Sequence, residues 1–550
     1  MSESTFLSVK FRLVRSKNMS GKIVTQGDRI LRTNTARSSF NVDGSGIRIG
    51  IISSSFDARY LLASDISNGE LPGANNPEGK LQSIQVLKDL KSDNIAADDE
   101  GRALAQIVHD EAPGAELLFY TAVSNAGNVD DRSYSEAVNS LVAAGANIIV
   151  EDASVPTTIF QDGEAAQSVK NAVNKGVTVI SAAGNNGKIS YESDYRSDGT
   201  TFNFGRKTFE AFNFDPSNNI DLFQDITVTK DNTDIAPLLT WSDPNGKVSS
   251  DLEMFLVSSP TLPRNNDRNV LAVSTIPSAT AIDDPLRRLA YPTAKDQNLY
   301  LVIGRELNGT EAPRKVKWIS TANGLDRTTK YEYINSNPFE TGSSTISGQA
   351  NLAETIAVGA ADQNQDFTSG RAMVRSYSSE GSSPILFDDV GDPLLNPQGT
   401  TKSDPIARYG IANSEYAGDP LLNPQGIANS EYAGDPLLNP QGRVKPDIIA
   451  PDGISTSVAG FETFLGTSAA APGIAGIVAL MQQAAGGANV LTPQQIKEIL
   501  QNTSVPVNLA SGMTNRVPGV GLPQADLAVA QAQAIFGKIG YDIDLCNFVS

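Results

Sequence analysis

The stretch "FLGTSAAAPGIAGIVALM" sets one hydroxyl, Ser468, behind Gly466 and Thr467 and ahead of an Ala- and Gly-rich apolar run. Proline is tolerated only near the start of a helix. Pro472 therefore predicts a tight turn, Ser468 in the opening turn, and a buried helix that other backbones approach closely. A hydroxyl placed there lies beside backbone N–H groups that lack helical partners, at the positive end of the helix dipole. That environment suits a nucleophile or an anion site, and the plain alternative is a serine that caps the helix. A second group able to do chemistry is the acidic run Asp98, Asp99 and Glu100, which opens the predicted helix "EGRALAQIVHDEA". Glu100 is there either as a first-turn acid favoured by the dipole or as a proton acceptor. The one histidine, His109, lies nine residues further on, about 13 Å along an intact helix, so it cannot stand in for Glu100. Its simplest reading is a last-turn histidine favoured by the helix dipole.

The elements that must position these groups show in the periodicity. The runs "RIGIIS", "AELLFYTA", "ANIIVEDA" and "VTVISAAG" alternate with the helical stretches "EGRALAQIVHDEA", "SYSEAVNSLVAAG" and "GEAAQSVKNAVNKG". This is the rhythm of a parallel sheet with crossover helices. Between Ile189 and Glu340 it gives way to short alternating runs, "FNFDPS", "DITVTK", "APLLTWSD", "DLEMFLVSS", "NVLAVST", "NLYLVIGR" and "RKVKWIST", broken by Asn, Asp, Gly and Pro. Such a texture predicts an all-β insert built as a sandwich. The first rhythm resumes at "ISGQANLAETIAVGAAD" and runs on to the helices "TPQQIKEILQNT" and "QADLAVAQAQAIFG".

The fold class expected is thus α/β, a doubly wound parallel sheet with an inserted all-β sandwich domain. Residues 1–24 read as an N-terminal extension, 25–189 and 341–537 as the two parts of the sheet domain, 190–340 as the insert, and 538–550 as a tail. Within the second part, "GIANSEYAGDPLLNPQ" occurs at Gly410 to Gln425 and again, identical, at Gly426 to Gln441, and "GDPLLNPQG" appears earlier from Gly391. The paired prolines exclude a helix or an interior strand, so 390–442 reads as a long surface loop, with a role in binding a partner as the alternative to a tolerated duplication.

The 550 residues carry a net charge of −19, which would repel nucleic acid or an anionic membrane. No run of eighteen apolar residues exists and the N-terminus lacks the apolar core of a signal peptide, so export by the general secretory route is not expected. A cytoplasmic protein or one exported by another route remains. The single cysteine, Cys546, forbids an intrachain disulfide or a thiolate metal cluster and fits bacterial surfaces as well as cytosol. In the insert, Asp243, Asp251 and Glu253 could contribute to a calcium site, or Asp251 and Glu253 simply face solvent from a half-buried strand.

Taken in order, "GSGIRIGIISSSFD", "VISAAGNNG", "KPDIIAPDG" and "GTSAAAP" resemble the subtilisin-like serine peptidase family. The resemblance implies that Ser468 corresponds to the nucleophile and Asn185 to the oxyanion donor. It also exposes two departures. Glu100 stands at the place of the family's catalytic histidine, and Ser54 at the place of its aspartate, so the triad position at Ser54 is degenerate. Asp57, three residues on, matches a surface turn position. The related sedolisin group uses a Glu and an Asp with its serine, but one turn beyond Glu100 this chain has Leu104. Asp152, in "IIVEDASVP", aligns with the family's substrate-edge segment, and a carboxyl there could share a proton with Glu100. Two functions compete on this reading. One is a serine endopeptidase in which Ser468 attacks a peptide bond, Glu100 with Asp152 accepts the proton and Asn185 steadies the oxyanion. The other is an inactive pseudopeptidase that binds or assembles proteins through its cleft, its repeat loop or its insert.

Overall fold

The apolar runs lie side by side as strands because each alternates its side chains between two buried faces. The computed structural model describes residues 22–546, apart from 92, 95, 96, 126, 154, 156–158, 218, 232, 278–283, 310, 322–328, 335–343, 382, 395–444 and 509–520. Two short helices, α1 (Gly27–Ile30) and α2 (Thr33–Phe40), precede β1 (Arg48–Ser53). There follow α3 (Leu62–Asn68), β2 (Ile84–Lys88), α4 (Glu100–Glu111), β3 (Glu116–Thr121), α5 (Asp131–Ala143), β4 (Ile148–Glu151), α6 (Glu164–Asn174) and β5 (Thr178–Ala182). The next strands are β6 (Ser190–Asp194), β7 (Thr201–Phe204), β8 (Lys207–Ala211), β9 (Gln224–Val228), β10 (Thr233–Ile235), β11 (Pro237–Trp241) and β12 (Leu252–Val257). They continue with β13 (Val270–Val273), β14 (Leu286–Arg288), β15 (Tyr291–Thr293), β16 (Asn298–Glu306), β17 (Lys315–Ser320) and β18 (Thr329–Tyr331). Strands β19 (Ile356–Asp362) and β20 (Ile448–Asp452), helices α7 (Thr467–Ala484) and α8 (Pro493–Asn502), strands β21 (Ser504–Pro506) and β22 (Gly521–Pro523), and helix α9 (Ala525–Cys546) close the chain.

The central sheet is parallel, in the order β2-β3-β1-β4-β5-β19-β20, with Ile49 opposite both Leu117 and Ile148. Alternation divides its side chains cleanly. Ile49, Ile51, Leu117, Phe119, Val150 and Ile180 pack with α4 and α7, while Ile52, Leu118, Ile149 and Val179 pack with α5 and α6 on the other face. Helices thus cover both faces, as a doubly wound sheet requires. The antiparallel strands from β6 to β18 include a sheet ordered β14-β11-β17-β6 and a larger one built on β13-β12-β16-β8-β7. Trp241 and Trp318 from the first sheet and Met254, Leu301 and Ile303 from the second share one core, which makes the pair a sandwich. Lys317, fully buried on β17, reaches Ser344 at 2.8 Å, Ser383 at 3.3 Å and Glu192 at 3.2 Å, and so ties this sandwich to the chain that flanks it.

Three expectations change. "FNFDPS" is a turn rather than a strand, because the Asn213 side-chain oxygen accepts from the N–H groups of Asp215 and Asp221 and bends the chain there. The pairing segment lies just before it, in β8. The edge strand β2 is not apparent in the sequence, since its exposed Val86 and Leu87 break the alternation that marks a half-buried strand. The last helix continues beyond Gly537 to Cys546. A mid-helix glycine costs about 1 kcal/mol, and without a following proline that does not stop a helix. The duplicated segment from Gly410 to Gln441 and residues 1–21 lie outside the described residues. Among the described residues no helix is long and apolar enough to cross a membrane.

The helix that begins at Ser468's turn is buried along nearly its whole length, and its glycines let α4 come close. A Cβ added at Gly476 would lie 2.3 Å from the Cβ of Glu111. Gly476→Ala is therefore expected to lower stability by roughly 1 to 3 kcal/mol, because neither helix backbone can move aside. Urea-unfolding midpoints check this, and an unchanged midpoint would show that α4 and α7 can part without cost.

Candidate active site

Strand β1 ends at Ser53, and the next residue, Ser54, points its hydroxyl at Asp98, to whose carboxylate it donates a hydrogen bond. The same Asp98 oxygen accepts the Glu100 backbone N–H at 3.2 Å. Asp99, between them, adopts a left-handed φ of 65°. Its carboxylate turns back to take the N–H of Ala58 at 2.9 Å and the Arg102 guanidinium at 2.9 Å. The start of α4 is thus strapped to the residues that follow β1, and Glu100 is presented at the carboxyl end of the sheet.

Asp152 follows β4 at that same end, and its carboxyl meets the carboxyl of Glu100, which also faces the Ser468 hydroxyl. Burial, then the charge of Asp152 and that of Asp98, pushes Glu100 well above the usual carboxylate range. Burial pushes Asp152 up to about 7, with the charge of the neighbouring Glu151 adding to the rise. Two acids in contact cannot both ionise cheaply, so the pair holds one shared proton over a wide interval. Beneath them Glu151 is fully buried, accepts from the Ser181 hydroxyl and from Ala153 N–H at 2.9 Å, and is raised by burial to about 8.

Ser468 owes its place to the turn before it. Gly466 has a φ of 100°, a conformation that glycine alone adopts without strain. Its N–H donates to Asp452 at 3.0 Å. Asp452, fully buried at the end of β20, also takes the Arg375 Nε at 2.7 Å and the Tyr377 hydroxyl. The Asn185 side-chain oxygen accepts from the Thr467 N–H at 3.0 Å and the Thr467 hydroxyl at 3.1 Å. With that oxygen held, the amide nitrogen of Asn185 lies close to Gly466. Gly184 N–H closes the arrangement by donating to the Thr467 Oγ1 at 3.1 Å.

Ser468 and Asp152 thus both face Glu100, Asn185 holds the turn before Ser468, and Ser54 is bonded to Asp98, which the sequence marked only as one acid of the run that opens α4. The Ser54–Asp98 bond itself was not legible because 44 residues separate the two. Asp452 was quoted only as part of a motif. Other candidates fall elsewhere. Asp57 accepts the Leu62 N–H at 2.9 Å and Leu104 is fully buried in the core. His109 does sit in the last turn of α4, but it is buried, and desolvation depresses it to about 3. It is a neutral imidazole, so the expected dipole stabilisation of a charged ring does not operate. Asp243 takes the N–H groups of Ser249 and Ser250, while Asp251 pairs with Arg287 and Lys207, and Glu253 with Lys207. Asp251 and Glu253 thus share Lys207, while Asp243 is held by its own loop. Among the described residues no group of three or more His, Cys, Asp or Glu side chains is arranged to hold a metal ion.

A serine hydroxyl facing a carboxyl that shares a proton, next to an amide donor at a helix start, is an arrangement able to attack a carbonyl carbon and hold the oxyanion formed. Residues 318–521 match the model of the subtilase family, Peptidase_S8. The fold is subtilase-like, a parallel α/β sheet with additional antiparallel sheets. The matched segment contains Ser468, whereas Glu100, Asp152, Asn185 and Ser54 lie before it. Among solved structures, the CspB protease of Clostridium perfringens is similar at 13% identity, covering 92% of this chain and 98% of that one with a TM-score of 0.49. The prenylagaramide maturation protease PagA is similar at 11% identity, covering 91% and 98% with a TM-score of 0.36. A search of the curated proteins finds no match.

Proposed function

We propose that this protein is a serine endopeptidase in which a carboxyl pair replaces the usual histidine and aspartate. The observation that carries the reading is that one side chain, Glu100, faces both the Ser468 hydroxyl and the Asp152 carboxyl. When the shared proton shifts from Glu100 to Asp152, Ser468 Oγ attacks the scissile carbonyl carbon and its proton passes to Glu100. Asn185 donates to the oxyanion, an interaction of roughly 3 to 4 kcal/mol in comparable sites. The protonated Glu100 then gives the proton to the departing amine, leaving an acyl-serine that water hydrolyses by the same steps in reverse. The raised position of the pair matters here, because a carboxylate of ordinary basicity is a poor acceptor for a serine proton. The substrate is a peptide or protein.

The same groups fix the pH dependence. Below neutrality, where Asp152 is still protonated, both carboxyls carry protons and the base is lost, whereas loss of the second proton at higher pH sets two anions against a developing oxyanion. Labelling of Ser468 by a fluorophosphonate, followed by peptide mapping across about pH 3 to 9, is expected to be weak in acid and to rise through neutrality as Asp152 gives up its proton. Absence of labelling throughout that range would leave the protein as a pseudopeptidase whose cleft only binds.

A further inference from the structure

We propose that Asp98 supplies, from the loop in front of α4, the carboxylate that this chain lacks at Ser54, and that it acts as the positioning residue for Glu100. The inference rests on the reading of Glu100 as the base. Its geometric ground is the convergence of two donors on one Asp98 oxygen: the Ser54 hydroxyl, from the end of β1, and the Glu100 N–H, from the first turn of α4. Ser54 is the residue at the strand end where the family pattern has an acid. A hydroxyl cannot provide a charge, but it can hold one. Here it receives a carboxylate from a loop 44 residues away and fixes it to the sheet.

The chemistry follows from what surrounds Glu100. It is faced by Asp98 from the preceding loop, by Asp152 from the end of β4 and by the Ser468 hydroxyl from α7. Arg102, on the same helix, directs its guanidinium to Asp99 at 2.9 Å, Asp65 at 3.4 Å and Asp57 at 3.9 Å. Asp98 is therefore the negative group that faces Glu100 without sharing its proton. A fixed negative charge there favours the protonated form of Glu100, which is the form produced when Ser468 gives up its proton. An ordinary helix cap would need only the N–H contact. The bond from Ser54 adds an anchor that a cap does not require.

The test uses three variants of the full-length protein: Asp98→Asn, Ser54→Ala, and the exchange Ser54→Asp with Asp98→Ser. Each is read by the pH profile of Ser468 fluorophosphonate labelling, by kcat and KM on a peptide, and by the thermal midpoint. Asp98→Asn keeps both hydrogen bonds within reach but removes the charge, so the acid limb of the profile is expected to move down by about one pH unit. Its kcat is expected to fall about tenfold with KM nearly unchanged, the mark of an interaction that matters in the transition state. The exchange returns the carboxylate to the strand end and is expected to recover most of the loss. An Asp98→Asn profile that superimposes on the wild type, or one lowered equally at every pH in step with a lower midpoint, would make Asp98 a structural cap and overturn the proposal. So would an exchange variant no better than Asp98→Asn. Wild-type protein that never labels overturns the Glu100 reading itself, and this one with it, whereas the first results concern Asp98 alone.

Discussion

On the proposed mechanism, Glu100→Gln and Ser468→Ala are each expected to reduce peptide hydrolysis to the same residual level, about 10³-fold or more below wild type, with the double variant no worse than either single one. On that mechanism Glu100, which faces Ser468, takes the serine proton, so removing either group removes the same step. Glutamine retains the shape of Glu100 and can still bond to Asp152 and Ser468, which makes the loss a matter of proton affinity. His109→Ala, in the same helix, is expected to leave the pH profile in place, since that ring is neutral, buried and at the far end of α4. Initial rates on a fluorogenic peptide at the pH of maximal Ser468 labelling provide the measurement. A Glu100→Gln protein that keeps more than about a tenth of the activity would remove the carboxyl from the mechanism.

The second large effect is on stability against pH. Glu151 is wholly buried and raised to about 8, whereas an unfolded glutamate titrates near 4.3, so between these limits the folded protein holds a proton that the unfolded chain has lost. Stability contributed by this group is complete at low pH and declines as pH rises, at up to about 1.4 kcal/mol per pH unit until the folded carboxyl ionises near 8. Asp110, raised by burial to about 7, acts in the same direction. His109 acts oppositely: depressed to about 3, it lets the unfolded chain take up a proton below about 6.5, and stability falls as pH drops from there. Two carboxyl terms outweigh the one imidazole above about pH 4, so the maximum that these groups set lies near there. Glu151→Gln, neutral at every pH, should flatten the alkaline decline while leaving the acid side alone. Urea midpoints at pH 5, 6.5 and 8 test it, and parallel curves for the variant and the wild type would contradict the assignment.

How far such a site can be read in advance depends on what kind of signal carries it. The Ser468 turn is local: Gly466, Thr467, Ser468 and the small residues after them stand in one run, so the turn and the helix behind it were both legible. The parallel sheet was legible for the same reason, since Ile49, Ile51, Val150 and Ile180 mark their faces by alternation. Glu100 could be placed at the histidine's position by resemblance, and Asp152 by its strand end, but their mutual contact depends on how α4 and β4 are brought together. Glu151 was invisible as a buried acid. Its neighbour Asp152 made "IIVEDA" look like an apolar strand running out into polar loop, yet the strand keeps Glu151 inside and the acid turns to Ser181 and Gln349. Nothing local to Ser54 announces Asp98, because the bond between them is made only when the loop before α4 folds back over β1.

The hold of Asn185 on the turn before Ser468 bears on the timing of synthesis. Gly184 and its partner Thr467 are separated by 283 positions of chain, most of them given to the β insert and the residues that follow it. At roughly 5 to 20 residues per second, a ribosome takes on the order of 15 to 60 s to pass from one to the other. Throughout that interval the residues around Glu100 and Asp152 can already fold, but Ser468 has not been made and Asn185 has no turn to hold. The two parts of the candidate site are therefore joined only when the last helices of the chain emerge.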